Sequence, residues 1–422
     1  MGRARSSIIF IIVFAMLFSL YPAKDITLSE SHAFDLLYGE FRVRITALHD
    51  IDSFTIFYSI PQIYGDQIPI LIRIRNDTSL PLKRYFIVSQ ENMEPNKLLC
   101  FKVGKMEAFE ERILHFDFWV LAINRSFNLP DYIKIPSDNE LPENTKLWLS
   151  STKAIQANNS LISWKAKQLT PPDENLITLA NNIVNYTSQH RTRGFIRIIL
   201  TLLSPNRFSG WAKYMDAAST LLLGGSCTGR ANLGAALFRA NGVPARVLLV
   251  LLTWPWMNAS GLWYDMHYIC EYYCPGYGWI PAETSLSLTP VRMKNNIVIR
   301  IVYPKDENEA GNKWDKYGGC EQWFWTDTEK VRIWWKNIAA GVRSEMKKEL
   351  ITNEDPNYIM NITLRAYEFY IAYTGMELTE EDRIHYEEAI EYQEKAIKEF
   401  LKSNLKEYVE NMEAALEEYE KI

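Results

Sequence analysis

The chain has 422 residues, of which 47% are hydrophobic, 23% charged and 13% aromatic, a globular composition that excludes a disordered, collagen-like or wholly coiled-coil protein. At about 150 residues per domain it holds two or three domains, each long enough to bury a core. The formal net charge of -5, from 46 basic and 51 acidic side chains, argues against a nucleic-acid partner, which requires a basic face to displace counterions from phosphates.

Residues 1–23 read as an export segment. Arg3 and Arg5 precede an unbroken apolar run from Ile8 to Phe18, the pattern of a charged n-region and an h-region. The run is short of the roughly 20 residues that span a bilayer. Cleavage after Ala23 would put Tyr21 where a small residue is expected, so a cleaved signal peptide and an anchor through residues 8–23 both stay open. Either way the chain is expected to be secreted or otherwise extracytoplasmic, where thiols tend to pair. Six N-x-S/T sequons, beginning at Asn76, Asn124, Asn158, Asn185, Asn258 and Asn361, fit export but carry little weight because the pattern is so short.

Residues 24–147 predict a β-sandwich-like domain of six or more strands. Phe41, Val43 and Ile45 alternate with Arg42 and Arg44, Ile70, Ile72 and Ile74 repeat with period two, and Leu114 to Leu121 adds another strand. Turn chemistry at Pro61, Asn76-Asp77, Glu94-Pro95 and Pro130-Asp131 separates them. No cluster of chemistry-bearing side chains stands out in this region.

The period changes in residues 148–290. Asp173 is placed to cap a helix whose apolar positions Leu176, Leu179, Ala180 and Ile183 recur at three- and four-residue spacing. Gly224-Gly225 then end one element, and an Ala- and Leu-rich helix runs from Cys227 to the stop signal Asn241-Gly242. Cys227 thus falls at a helix N-terminus, where unpaired N–H groups and the positive end of the dipole favour a thiolate. A buried structural thiol or half of a disulfide is the bland alternative.

A thiolate nucleophile needs an imidazole in reach, and His267 is the candidate. It begins a predicted strand, Met266 to Tyr273, followed by a turn at Cys274 to Gly278 and a return strand, Trp279 to Glu283. A hairpin centred on Pro275 or Gly276 puts Glu283 directly opposite or diagonal to His267, on the same face; a one-residue slip would put it on the other. Glu283 can then fix the imidazole tautomer as the third member of a Cys-His-acid triad. His32, His49, His115, His190 and His385 lack such an acid on a matching return strand.

These blocks resemble the transglutaminase-like superfamily. The resemblance rests on Asp216-Ala217-Ala218, Gly225-Ser226-Cys227, the run from Ala235 to Arg246, His267, and Pro275 to Thr284, and covers about Trp211 to Ser285. It implies a papain-like α+β core; with the sandwich read before it and the helical C-terminal region after it, the expected fold class is α+β. It also implies thioester chemistry on protein or peptide amides by Cys227, His267 and Glu283, whether hydrolysis, deamidation, transamidation or peptide N-glycanase-like cleavage. The family usually has Asp where this chain has Glu283, a longer arm that demands a compensating shift of about an ångström. A scaffolding protein with a disabled core is the competing class. No cofactor or metal is expected: there is no HExxH, no paired CxxC and no EF-hand loop.

If Cys227 is the nucleophile, Cys100, Cys270, Cys274 and Cys320 remain, and at least one of Cys270 and Cys274 is expected to bond Cys320, which leaves the other available to Cys100. Residues 291–378 are read as a Trp-rich extension on the core, with Trp323, Phe324, Trp325, Trp334 and Trp335 as its aromatic cluster. Residues 379–422 read as one acidic amphipathic helix capped by Thr379 and Asp382, packing its stripe on the body or dimerising through it. This tail holds 14 acidic and 6 basic side chains, so the rest of the chain sums to +3.

Overall fold

The computed structural model describes residues 32–65, 67–89, 96–124, 127–191, 215–253, 266–291, 296–308, 324–326, 329–347 and 356–422. The fold is α+β. Two antiparallel sheets form the sandwich. The first has strand order β12-β1-β6-β3, from Val331–Lys347, His32–Ala47, Glu111–Ile123 and Gln67–Ile74. The second has order β11-β2-β5-β4, from Phe324–Thr326, Phe54–Ser59, Lys97–Val103 and Leu82–Ser89. The alternation along β1 works as expected: Phe41, Val43 and Ile45 are fully buried, while Arg42 and Arg44 reach outward to Asp77 and Glu111. Between the sheets, Phe116 stacks on Phe41 at 5.2 Å and meets Tyr58 and Phe101 from the opposite sheet at 5.4 and 5.8 Å.

The sandwich is not confined to residues 24–147. The strand β12 pairs with β1 over nearly its whole length, from His32↔Lys347 to Ala47↔Val331. Much of the stretch expected to extend the core therefore completes the first sheet instead. Trp334 and Trp335 sit in this strand, Phe324 and Trp325 in β11, and Trp323 lies outside the described residues.

A third sheet, order β10-β7-β8-β9, belongs to the middle of the chain: Asn296–Val302, Ala245–Leu252, Met266–Cys274 and Gly278–Ala282. Its outer strand β10 is joined to the sandwich by buried amide side chains. Gln67 accepts from Val298 N at 2.8 Å and donates to Val298 O at 3.0 Å, Asn96 does the same for Ile301 at 2.9 and 2.7 Å, and Gln62 donates to Ile299 O at 3.0 Å. These bonds satisfy a strand edge that would otherwise be buried with open backbone groups.

Helix α1 (Ser160–Leu169) and α2 (Leu176–Gln189) precede the sheet. Asn175 caps α2, its side chain accepting from Ile177 N at 3.0 Å, so the helix starts two residues later than an Asp173 cap implies. Then come α3 (Ala217–Leu223) and α4 (Cys227–Ala240). The C-terminal region is three helices, α5 (Pro356–Tyr373), α6 (Glu380–Leu401) and α7 (Leu405–Tyr419), and not a single long one after Thr379. Ser403, at φ +61°, breaks the expected helix, and Asn404 caps the next. Thr379 does cap α6, accepting from Asp382 N at 3.1 Å. The apolar stripe Ala389, Ala396, Phe400, Leu405, Tyr408, Met412, Ala415 and Tyr419 is buried within the chain. The same helices protect the edge strand β3, with Tyr370 Oη donating to Ile72 O at 2.6 Å and Gln393 Nε2 to Ile70 O at 3.0 Å. Among the described residues no helix is long and apolar enough to cross a membrane, and residues 1–23 lie outside them.

Candidate active site

Tight backbone packing places Cys227. Helix α3 ends at Gly224, whose φ of +73° belongs to the left-handed region, and a Cβ there would lie 2.2 Å from Arg191 O. The chain thereby passes against the end of α2, where Gly225 N donates to His190 O at 2.8 Å. Ser226 is extended and α4 begins at Cys227, so the cysteine stands at the helix end whose first-turn N–H groups lack intrahelical partners. The Ser226 hydroxyl donates to Met215 Sδ at 3.1 Å and does not cap the helix. Further along α4, a Cβ at Gly234 would lie 2.7 Å from Thr284 Cγ2 and 3.2 Å from Cys270 Sγ, so this glycine sets how closely the cysteine helix lies on the hairpin.

The hairpin register supplies the other two side chains. Cys270↔Ala282 and Tyr272↔Ile280 centre the turn on Gly276, the diagonal of the two expected arrangements. Glu283 lies one residue past β9 and makes an isolated bridge with Leu288. Its Oε2 sits 2.6 Å from His267 Nε2, and its Oε1 accepts from Ser285 N at 2.6 Å. Both carboxylate oxygens are thus held. His267 in turn hydrogen-bonds Cys227. With Nε2 on Glu283, Nδ1 is the nitrogen left for the sulfur.

The electrostatics favour a charged pair. Burial pushes the Cys227 thiol up, but the His267 charge and hydrogen bond, the Tyr268 backbone N–H and the Arg230 charge together bring it down to about 7. Burial pulls His267 down, and the charges of Glu283 and Cys227 outweigh it and raise the imidazole well above its ordinary range. Cys227 is half-buried, and the His267 and Glu283 side chains are 14% and 3% exposed, so the pair interacts largely out of bulk water.

The structure brings Cys227, His267 and Glu283 together and leaves the other expectations apart. His115 pairs with Asp77 at 2.7 Å and His190 Nδ1 contacts Tyr186 O at 2.8 Å. Cys100, Cys270 and Cys274 are free thiols. The bond expected from Cys270 or Cys274 is not formed, and Cys320 lies outside the described residues. Cys270 is packed tightly under Gly234, and burial raises it, as it raises Cys274 to about 11. Reading by residue type missed Arg230, one turn after Cys227. Its Nη1 donates to Ser285 O at 3.3 Å and its Nε to Ser226 O at 3.4 Å. The i+3 spacing on α4 was the signal that could have found it. Among the described residues, His385, Glu388 and Glu418 place ligand atoms within 4.8 Å of one another, the one group there able to hold a metal, on α6 and α7 and shared with Lys421.

Residues 177–284 match the family model of the transglutaminase-like superfamily. This segment is a transglutaminase-like core. It spans α2, the cysteine helix α4 and the hairpin of His267 and Glu283, so all three candidate residues lie within the matched stretch. Among solved structures, a protein from Cytophaga hutchinsonii described as a candidate cysteine protease aligns at 13% identity with a TM-score of 0.51, over 78% of this chain and 94% of its own. That is a likeness of fold, over more of the chain than the family model matches. The periplasmic domain of TgpA from Pseudomonas aeruginosa aligns at 15% identity and a TM-score of 0.26, over 61% of this chain and 89% of its own. A candidate protease from Parabacteroides distasonis aligns at 12% identity and a TM-score of 0.26, over 63% of this chain and 45% of its own. No curated protein matches the sequence.

Proposed function

We propose that the chain is an exported thiol enzyme that hydrolyses protein or peptide amides through a thioester on Cys227. The observation that carries this is the shared site: a helix-capped thiol, an imidazole bonded to it, and a buried carboxylate 2.6 Å from the far ring nitrogen. The Cys227 thiolate attacks the amide carbonyl, and the first-turn N–H groups of α4 face the developing oxyanion. His267, already protonated, gives its proton to the departing amine, leaving a thioester and a neutral imidazole. Water then attacks the thioester as His267 takes its proton back, releasing the acid and restoring the charged pair. Glu283 holds the ring in one orientation and stabilises its protonated form.

Hydrolysis is preferred to crosslinking because water needs no second binding site. Residues 1–23 support export. Casein, glutamine peptides and glycopeptides are the substrates to screen, reading released ammonia, new acid termini and amine incorporation, with Cys227→Ala as the control. Turnover that persists in Cys227→Ala, or amine incorporation outrunning hydrolysis at millimolar amine, would overturn the assignment.

A further inference from the structure

Arg230 is the cation nearest the candidate nucleophile in sequence, and its environment is unusual. It is half-buried, yet among the described residues it forms no salt bridge; its two hydrogen bonds go to the backbone carbonyls of Ser226 and Ser285, both at 3.3 Å or longer. A guanidinium carries five N–H donors in a rigid fork suited to a carboxylate. Glu283 is engaged elsewhere, one carboxylate oxygen meeting His267 and the other accepting from Ser285 N, and among the described residues it forms no salt bridge with Arg230. A second cation stands close by: Arg191, exposed, adjoins Gly225 through a parallel bridge, and its charge bears on Arg230. Beside Arg230 the Ser285 hydroxyl is buried and, among the described residues, without a hydrogen-bond partner. Among the described residues, Arg230 feels the charges of Cys227 and Glu283 and the like charge of Arg191, but no carboxylate meets its fork. N–H donors of the Arg230 fork are left over for a ligand.

We propose that Arg230, backed by Arg191, binds a carboxylate of the substrate next to the scissile amide, so that the enzyme takes acidic peptides or peptides ending close to the cleaved bond. The inference rests on Cys227 being the reactive thiol and adds the chemical class of its substrate. Half-burial strengthens the contact relative to a surface pair, because a charge-assisted fork out of bulk water is screened less by salt.

The test needs no substrate. Iodoacetate and iodoacetamide alkylate sulfur by the same displacement of iodide and differ in carrying a carboxylate or a neutral amide. Rates at Cys227 are read by peptide mass spectrometry in the full chain, which also separates it from Cys100, Cys270 and Cys274. Relative to N-acetylcysteine, the iodoacetate-to-iodoacetamide rate ratio is expected to be raised about tenfold or more in the wild type. Arg230→Gln should return it to the reference, Arg230→Lys should keep part of the gain, and Arg191→Gln should lose less than Arg230→Gln. Any effect of these changes on the thiolate itself slows both reagents alike and cancels in the ratio. In the wild type, the ratio should persist at moderate salt and fall toward the reference near 1 M salt. A wild-type ratio equal to that of N-acetylcysteine, or one unmoved by Arg230→Gln while iodoacetamide still reacts, overturns the carboxylate site alone. Failure of both reagents to modify Cys227 overturns the thiol-enzyme assignment and this inference with it.

Discussion

His267→Ala is the most direct test of the charged pair. In the folded protein the thiol is lowered from an ordinary 9.0 to about 7 against the opposing effect of burial. Two pH units correspond to roughly 3 kcal/mol of differential stabilisation of the thiolate. At pH 7 about half the wild-type sulfur is ionised. Without the imidazolium, burial remains, only the Tyr268 N–H and Arg230 oppose it, and the thiol returns to 9 or above. The ionised fraction at pH 7 then falls to about 1% or less, a roughly fiftyfold slower reaction with iodoacetamide. The assay is alkylation rate against pH, resolved at Cys227. The sign follows from the shift: a lowered thiol pKa means wild-type labelling climbs through about pH 7 and is flat above it, whereas the variant is still climbing at pH 9. Since the two groups titrate as a coupled pair, the inflection belongs to the pair. An inflection unmoved by His267→Ala would refute the account, because the helix terminus alone would then be producing the shift.

Other consequences follow from the same geometry. Glu283→Gln keeps a hydrogen-bonding partner but removes the charge that raises His267, so turnover should drop by about 10² to 10⁴ and the alkaline limb of its pH profile should move to lower pH; a profile superimposable on wild type would exclude the orienting role. Gly234→Ala puts a Cβ 2.7 Å from Thr284 Cγ2 and should cost about 1–3 kcal/mol in urea unfolding, with a slower Cys227 because α4 is pushed off the hairpin; an unchanged midpoint would show that the contact is soft. Arg239 and Glu307 form a buried bidentate pair at 2.7 and 2.9 Å, the two side chains 0% and 1% exposed, so Glu307→Gln should destabilise by about 3–5 kcal/mol, and a loss under 1 kcal/mol would contradict an uncompensated buried cation. Activity and iodoacetamide labelling should both survive a reductant, since the described cysteines are free; a fall in thermal midpoint on reduction would point to a bond through Cys320.

What the sequence determined by itself was local. The Gly224-Gly225 approach, the helix starting at Cys227, its stop at Asn241-Gly242 and the hairpin bearing His267 all depend on backbone preferences over a few residues, and the structure has them in place. Hairpin parity confined Glu283 to two arrangements on the right face because side chains alternate with period two. Tertiary structure chose the one centred on Gly276. It also decided everything set by pairing across long separations. The strand Val331–Lys347 closes the first sheet beside β1, about three hundred residues upstream, and nothing in its local pattern names that neighbour. Gln62, Gln67 and Asn96 gain their role only from the backbone of β10, which is brought to them from more than two hundred residues away. The same holds for Arg230, which among the described residues bonds only the backbone carbonyls of Ser226 and Ser285, and for Cys270, which packs on Gly234 instead of bonding a second sulfur. Local propensity fixes where an element starts and which way its side chains alternate, while partners are chosen by burial and hydrogen-bond satisfaction across the whole chain.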